Sequence, residues 1–402
     1  MASAQVFDAG DGALNTRPGD PRAGGVGLAL PGRPPAWSGP LQEVARWEWD
    51  GSGDPAQGLE AFLGRYGLAG PPAQQRAGDT AVGLLLGAAG CAALAGLPLP
   101  PPSPVPAVPE VVAVAVRRGS GAAPRPGPAV VGSWERTWTD AQHAAAVRAV
   151  QESIARGDVY QANVVGHRSA PYDGDPLALA ARVAALPGAT YGGVLSGDGW
   201  TVASASPEQL VRVVGDRVTT VPVKGTLPVG PGSAEALRAS TKDRAEHVMI
   251  VDLERNDLAR VAVTGSVEVE RLYALQAWSG LWQAGSTVAA RLRPDACVLD
   301  VLRALVPGGS VTGAPKRAAC ALLAGLEPVG RGPAMGALGL VHPGGLDLGL
   351  TIRTVALDDA RVHLWAGGGI TWGSDPDAEV AEAHAKAAPV VRALGQVRPS
   401  AS

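Results

Sequence analysis

The sequence predicts an α+β body over roughly residues 137 to 398, and three observations carry that expectation. Thr139 followed three residues later by Gln142 is a capping-box pattern ahead of Val147, Val150 and Ile154 at helical spacing, with Gly157 as its stop. Short β-prone runs broken by Gly and Pro come next: Val159 to Val165, Trp200 to Ala205, Leu210 to Val214 and Val218 to Val223. Helices and strands then alternate to about residue 396, without an internal repeat.

The region before this body is punctuated by breakers. Residues 1 to about 35 are rich in Gly, Pro and Ala without strand or helix period, and read as a mobile tail or loosely packed lead-in. Ala81 to Pro102 is uncharged and long enough to raise the question of a membrane span, but it is built of Gly, Ala and Pro rather than Leu and Phe and lacks flanking anchors. The expectation there is a buried strand and helix of small residues, and no membrane partner. LPLPPPSPVPAVP, Leu97 to Pro109, reads as a connector because each Pro removes a backbone donor. The apolar run Val111 to Val116 and a loop from Gly119 to Pro128 complete a divergent N-terminal region, 1–130, ahead of a catalytic region, 133–398. With 402 residues, length alone leaves open one large body or two domains.

A net charge of −3 with 18% charged residues gives no basic field to gather phosphate backbones, so nucleic acid is not an expected partner. Cys91, Cys297 and Cys320 are odd in number, far apart and without a CxxC pair, which fits a reducing cytosol. Met1 to Gly12 carries Asp8 and Asp11 and lacks a basic and an apolar signal region, so a cytoplasmic location is expected.

Several residues carry chemistry. Ser240 to Asn256 reads as a helix capped by Ser240 or Thr241, with Asp243 and Glu246 on one face. SDPDAEVAEAHAKAA offers Ser374 or Asp375 as cap, Pro376 in the first turn, and Glu379, Glu382 and Lys386 in one stripe. Two readings fit these stripes: paired acids for a hard divalent cation such as Mg²⁺, or solvated helix faces. GGSVTGAPK, Gly308 to Lys316, is a Gly-rich turn entering a helix, either an anion cradle or a plain tight turn. AGGGI, Ala366 to Ile370, follows the strand Arg361 to Trp365, where three glycines allow close approach of a ligand or make a simple turn. Arg353 is the one charge in the alternating strand LGLTIRTVAL and needs an anionic partner, structural or functional. Lys224, at a strand end in VPVKGT, is either a surface lysine or a desolvated nucleophile, and Glu208 lies 16 residues upstream across a hairpin as a possible proton donor.

Taken together, GDVYQANV, SPEQL, PVKGT, KDRAEHVMIVDLERNDLARV, PGGSVTGAPK, IRT, AGGGI and SDPDAE resemble, in order and approximate spacing, the motifs of the chorismate-binding enzymes. That family includes component I of anthranilate and aminodeoxychorismate synthases, isochorismate synthases and salicylate synthases. The resemblance covers residues 133 to 396 and implies an anthranilate synthase component I-like fold, with antiparallel sheets packed in a β-sandwich-like core and helices outside. It implies Glu246 and Glu382 as direct Mg²⁺ ligands with Asp243 and Glu379 acting through water. It further implies Arg353, Lys386 and the amides of Gly367, Gly368 and Gly369 on the substrate carboxylates, Ser310, Thr312 and Thr226 in the pocket, and Glu208 as general acid for the C4 hydroxyl.

Lys224 stands where aminodeoxychorismate synthases resemble this chain with Lys in PIKGT, whereas anthranilate-forming relatives usually carry Ala. The resemblance therefore implies attack of the Lys224 amine on chorismate, with ammonia rather than water as final nucleophile because Gln161 replaces the Lys of water-using relatives. Gln283 stands where the family usually has His, and Leu227 and Val229 replace basic residues, which puts turnover efficiency in question. The family's tryptophan-pocket motif is not evident. No Cys sits in a nucleophile elbow with a His and Glu, so ammonia is expected to come from solution or from a separate glutamine amidotransferase subunit. Formation of anthranilate or 2-amino-2-deoxyisochorismate, and a catalytically silent partner subunit, are the competing readings.

Overall fold

A computed structural model describes residues 6–8, 13–15, 26–29, 41–49, 51–119, 126–278 and 281–395. The expectation that residues 1 to 35 hold no strand is corrected by β1 (Val6–Asp8), β2 (Ala13–Asn15) and β3 (Val26–Ala29), strands defined by backbone pairing rather than by side-chain period. β4 (Leu41–Glu48) leads into α1 (Pro55–Gly64), started by Asp54 accepting from the Ala56 N–H and by Pro55 in the first turn. The uncharged run forms β5 (Thr80–Leu86), buried at every residue, and α2 (Ala88–Ala95), which stops at Gly96 with φ 63°. Among the described residues no helix is long and apolar enough to cross a membrane. Leu97 to Pro109 carries neither helix nor strand, as expected, and β6 (Val111–Arg118), β7 (Ala129–Val131) and β8 (Glu135–Arg136) follow. Residues 120–125 of the expected loop lie outside the described residues.

In α3 (Asp140–Ala155) the Thr139 hydroxyl accepts from the Gln142 N–H while the Gln142 side chain accepts from the Thr139 N–H, and Gly157 follows the helix at φ 83°. The chain continues through β9 (Gln161–Gly174), α4 (Pro176–Ala184), β10 (Tyr191–Gly197), β11 (Trp200–Ser206), β12 (Gln209–Val214), β13 (Arg217–Val221) and β14 (Val223–Pro228). The expected run Val218 to Val223 is thus two strands, because Pro222 has no N–H to continue the ladder. α5 (Ser233–Ala239) and α6 (Thr241–Ala259) precede the hairpin of β15 (Glu268–Trp278) and β16 (Leu281–Arg291). Then come α7 (Val298–Leu305), β17 (Gly313–Ala314), α8 (Lys316–Leu326), β18 (Ala337–His342), β19 (Gly345–Leu350), β20 (Thr354–Leu357), β21 (Arg361–Ile370) and α9 (Pro376–Leu394). α9 starts where the sequence places it, with Asp375 accepting from the Ala378 N–H at 2.8 Å.

Two strand expectations are corrected. β21 does not end before AGGGI but runs through Gly367, Gly368 and Gly369, because β9 pairs with it from Arg361 opposite Pro171 to Ile370 opposite Ala162. Arg353 lies in no strand: it links β19 to β20 with φ 51°, a backbone conformation costly for a residue with a Cβ.

Among the described residues every strand pair is antiparallel, and two large sheets form. One runs β17-β9-β21-β20-β11-β10-β3 with β7 and β8 also on β9; the other runs β14-β16-β13-β12-β19-β18-β5-β6-β4 with β15 also on β16. β5 pairs with β18, so residues 41–118 extend the same sheet as β12 to β19. The sheets share one core, in which Tyr191, Leu195 and Val202 of the first pack with Leu338, Leu346 and Leu348 of the second. Gly349 permits the close approach, since a Cβ there would stand 2.4 Å from the Tyr191 Cβ. α3, α4, α8 and α9 pack on the first sheet and α1, α2, α6 and α7 on the second, giving a sandwich-like core with helices outside.

The chain crosses between the sheets twice at one level. β11 passes to β12 through Pro207 and Glu208, and β19 passes to β20 through Thr351 to Arg353. The Leu350 N–H donates to the Glu208 carbonyl at 3.0 Å and the Ala205 N–H to the Arg353 carbonyl at 3.1 Å.

Asp347 on β19 is 2% exposed and meets Arg212 only at 3.5 Å, and burial pushes its carboxyl from the ordinary 3.8 up to about 7. Between those two values the folded chain holds a proton the unfolded chain has lost, so stability falls as pH rises through that window. Asp347→Asn is expected to raise the melting temperature at pH 8 by about 2 °C or more and to leave it unchanged at pH 4, measured by thermal denaturation.

Candidate active site

The crossover places Glu208 and Arg353 in the middle of the molecule. Glu208 is 7% exposed, and its Oε1 accepts from the Ser310 hydroxyl at 2.9 Å. Burial raises its pKa, against the opposing pull of Ser310, the Lys224 charge and the Val223 N–H. A buried acid of this kind keeps its proton to higher pH than an exposed one and is suited to protonate a leaving group. Burial depresses the Arg353 pKa, partly offset by the charge of Glu208 across the seam.

Ser310 and Thr312 belong to the turn Gly308 to Lys316, whose shape is set by buried polar contacts. The Thr312 hydroxyl donates to the Gly308 carbonyl at 2.8 Å, so it shapes the turn itself. Asn163 Nδ2 donates to the Val311 carbonyl at 3.1 Å, and Arg331 donates to Val311 and Asn163 carbonyls while paired with Glu327 at 2.6 Å. Glu327 in turn accepts from the Val165 N–H at 3.0 Å, which locks the turn to β9. Lys316 is tied to the Asp257 carboxylate of α6 at 2.8 Å.

Lys224 enters from β14, opposite Ala284 of β16, and Gly225 at φ 76° follows it in a bulge that separates the Lys224 and Thr226 registers. Burial lowers the Lys224 pKa, helped by the charge of Lys386 and opposed by Glu246, Glu208 and Glu382. Across from it, Gln161 of β9 is 0% exposed, and neither its Oε1 nor its Nε2 has a hydrogen-bond partner among the described residues. Gly369 is where the two meet: a Cβ there would stand 2.3 Å from Gln161 Nε2 and 3.2 Å from Lys224 Nζ. An amide left unsatisfied in the interior costs free energy, which a bound water or ligand would recover.

Gly368 faces α9, and a Cβ on it would stand 3.1 Å from Glu379 Oε2, 3.6 Å from Lys386 Nζ and 3.9 Å from Glu382 Oε1. Ser374 donates to Glu379 at 2.7 Å; Lys386 pairs with Glu382 at 2.7 Å and donates to the Gly367 carbonyl at 3.0 Å. β20 pairing with β21 stops at Leu364, so no described strand covers that edge of Gly367 to Gly369. Glu246 reaches the same cluster from α6, acting on the Lys224 amine together with Glu382. Among the described residues no three acid, His or Cys side chains converge closely enough to hold a metal unaided. The all-oxygen donor set brought by two helices fits a hard cation that keeps part of its water shell.

The fold thus gathers Lys224, Glu208, Ser310, Gln161, Gly368, Gly369, Glu246, Glu379, Glu382, Lys386 and Arg353 around the seam. Gln283 is buried on β16 opposite Thr226, next in the strand to the Ala284 that pairs with Lys224. The side chains of Asp243 and Thr226 lie outside the described residues. Sequence reasoning missed the buried residues of α6, His247, Glu254 and Asp257. Their seven- and three-residue spacing on one helical face was the available signal.

The family described as chorismate binding enzyme matches residues 108–392. Anthranilate synthase component 1 of Streptomyces coelicolor is 41% identical over 67% of this chain and 54% of its own length. Aminodeoxychorismate synthase component 1 of Salmonella typhimurium is 37% identical over 63% of this chain and 58% of its own. The chain therefore spans little more than half the length of these relatives. The crystal structure of anthranilate synthase component I from Streptococcus pneumoniae superposes with a TM-score of 0.74 at 22% identity, covering 87% of this chain and 91% of that one, a likeness of fold.

Since Glu246 supports the charged form of Lys224, Glu246→Gln is expected to lower the Lys224 pKa further below its already depressed position. NMR titration of ¹³C-methylated lysines reads this, and an unmoved or raised Lys224 resonance midpoint would contradict the electrostatic picture.

Proposed function

Since the chain belongs to the chorismate-binding enzymes, we propose that it is the synthase component of an aminodeoxychorismate synthase, replacing the C4 hydroxyl of chorismate with ammonia. The observation that carries this reading is the Lys224 amine and the unpartnered Gln161 amide both reaching Gly369, with the buried Glu208, its pKa raised by burial, nearby. Named relatives divide between aminodeoxychorismate and anthranilate synthases, and the lysine in PVKGT favours the former.

In the proposed course Arg353 and Lys386 bind the substrate carboxylates above the open edge of Gly367 to Gly369. The Lys224 amine, its neutral fraction enlarged by burial, forms a bond to C2 while the ring double bond shifts and the C4–oxygen bond breaks. Glu208 gives its proton to the departing hydroxyl, which leaves as water, with Ser310 holding the carboxyl in place. Gln161 orients ammonia, which bonds to C4 as the double bonds return, the C2–nitrogen bond breaks and Lys224 is released. Glu246 and Glu382, with Asp243 and Glu379 through water, would hold Mg²⁺, whose chemistry is to neutralise the ring carboxylate.

Incubation with chorismate, Mg²⁺ and ammonium is expected to give 4-amino-4-deoxychorismate by mass spectrometry, with Lys224→Ala slower by about 100-fold or more and free of any protein adduct. A fluorescent anthranilate product would refute the assignment, and an unchanged Lys224→Ala rate would remove that residue from the chemistry. Burial raises all three thiols, Cys91, Cys297 and Cys320, which suits none of them to glutamine hydrolysis. Glutamine is accordingly expected to replace ammonium only after an amidotransferase is added, and glutamine-dependent turnover by this chain alone would overturn that expectation.

A further inference from the structure

α6 turns an unusual face to the interior. His247, Glu254 and Asp257 are buried along it, whereas Val248 is 55% exposed. Each buried polar residue is tied to a different element: His247 Nε2 to the Ser286 hydroxyl of β16 at 2.5 Å, Glu254 to Thr220 of β13 at 3.1 Å, and Asp257 to Lys316 of α8 at 2.8 Å. The last two ties lie eight and eleven residues beyond Glu246, or about 12 and 16 Å along the helix at 1.5 Å per residue. Closer to Glu246, the buried Ile250 and Val251 hold α6 by apolar packing, which is not directional. His247 is the adjacent residue and is 0% exposed.

Ser286 is a junction. Its N–H donates to the Pro222 carbonyl at 3.1 Å, two residues before Lys224, and its hydroxyl oxygen accepts from the Tyr273 N–H at 2.9 Å. Tyr273 sits at φ 51° where the β15 register slips between Arg271 and Ala274, a sterically costly backbone for a residue with a Cβ. Its ring stands edge-on to His247 at 5.1 Å and its hydroxyl donates to the Leu237 carbonyl of α5 at 2.9 Å. One serine therefore joins the entry to the strand of the candidate nucleophile, the strained register slip of β15 and the helix of the candidate cation ligand.

We infer that His247, through Ser286, is a positioning residue that fixes the rotation of α6 and so the direction of the neighbouring Glu246 carboxylate. The inference rests on the proposed role of Glu246. His247 touches no reacting atom in it; the buried hydrogen bond transmits the register of β14 and β16 to α6, and breaking it frees the N-terminal turns of α6 to rotate.

The test uses the full chain with His247→Ala, His247→Gln, Ser286→Ala, the double alanine variant and Val248→Ser as an exposed-face control. Two readouts need no turnover: Mn²⁺ binding followed by electron paramagnetic resonance, and the NMR titration of the Lys224 amine. His247→Ala and Ser286→Ala are each expected to weaken Mn²⁺ binding by about 10-fold and to lower the Lys224 pKa as Glu246 swings away. The double variant should be no worse than either alone, His247→Gln should recover much of the loss, and Val248→Ser should match the parent. Cation affinity within twofold of the parent in Ser286→Ala, the mildest change, or additive losses in the double variant, would overturn the inference. Absence of chorismate turnover by the parent chain would instead sink the proposed function, while both of these readouts would still judge the positioning role.

Discussion

The arrangement depends on a single feature of backbone topology, the paired crossing of β11–β12 and β19–β20 from one sheet to the other. Two antiparallel strands that change sheets together can keep their inter-strand hydrogen bonds only if both bend at the same level. The bonds from Leu350 to Glu208 and from Ala205 to Arg353 show that they do. The bend has no room for a regular pleat, and this explains why Arg353 adopts a positive φ and why Glu208 projects into the seam rather than onto a sheet face.

Burial at the seam then governs the electrostatics. Desolvation pushes Glu208 towards its protonated form and Lys224 towards its neutral form, the two neutral states that an acid and a nucleophile require. The neighbouring charges oppose this: Glu246 and Glu382 favour the ammonium of Lys224, while Lys386 disfavours it. The balance is sensitive to the distances between helices α6 and α9 and the strand β14. The buried hydrogen bonding around the seam, from Arg331–Glu327 at the turn before α8 to His247–Ser286 on α6, accordingly fixes the elements that carry the site.

How much of this was legible depended on whether the signal was local. The Thr139 capping box, the Asp375 and Pro376 helix start, the small-residue strand and helix after Thr80, and the proline connector each follow from the chemistry of a few adjacent residues, and each is present. The glycines of β21 misled because Gly in isolation marks a break, whereas here a long partner, β9, supplies the ladder that holds them extended. Arg353 misled for the converse reason: an alternating pattern runs across a sheet change without registering it. The strands before residue 30 are three or four residues long, too short for a hydrophobic period to register. The convergence of the site residues came from ordered motifs, and nothing in their spacing gave the approach of both Gln161 and Lys224 to Gly369.

One compositional signal bears on the chemistry independently of those motifs. The chain holds 34 Lys plus Arg, of which only Lys224, Lys242, Lys316 and Lys386 are lysines. Structural cation roles fall almost entirely to arginine, as in Arg331 with Glu327 and Arg361 with Glu135, where a planar guanidinium binds in a fixed orientation and stays charged. Arginine cannot serve where an amine must lose its proton to attack carbon, because its pKa lies too high for burial to bring within reach. In a chain that otherwise so strongly prefers arginine, a lysine in a desolvated position beside a second ammonium fits the proposed role of an amine that can be neutral, and Lys224 meets that description.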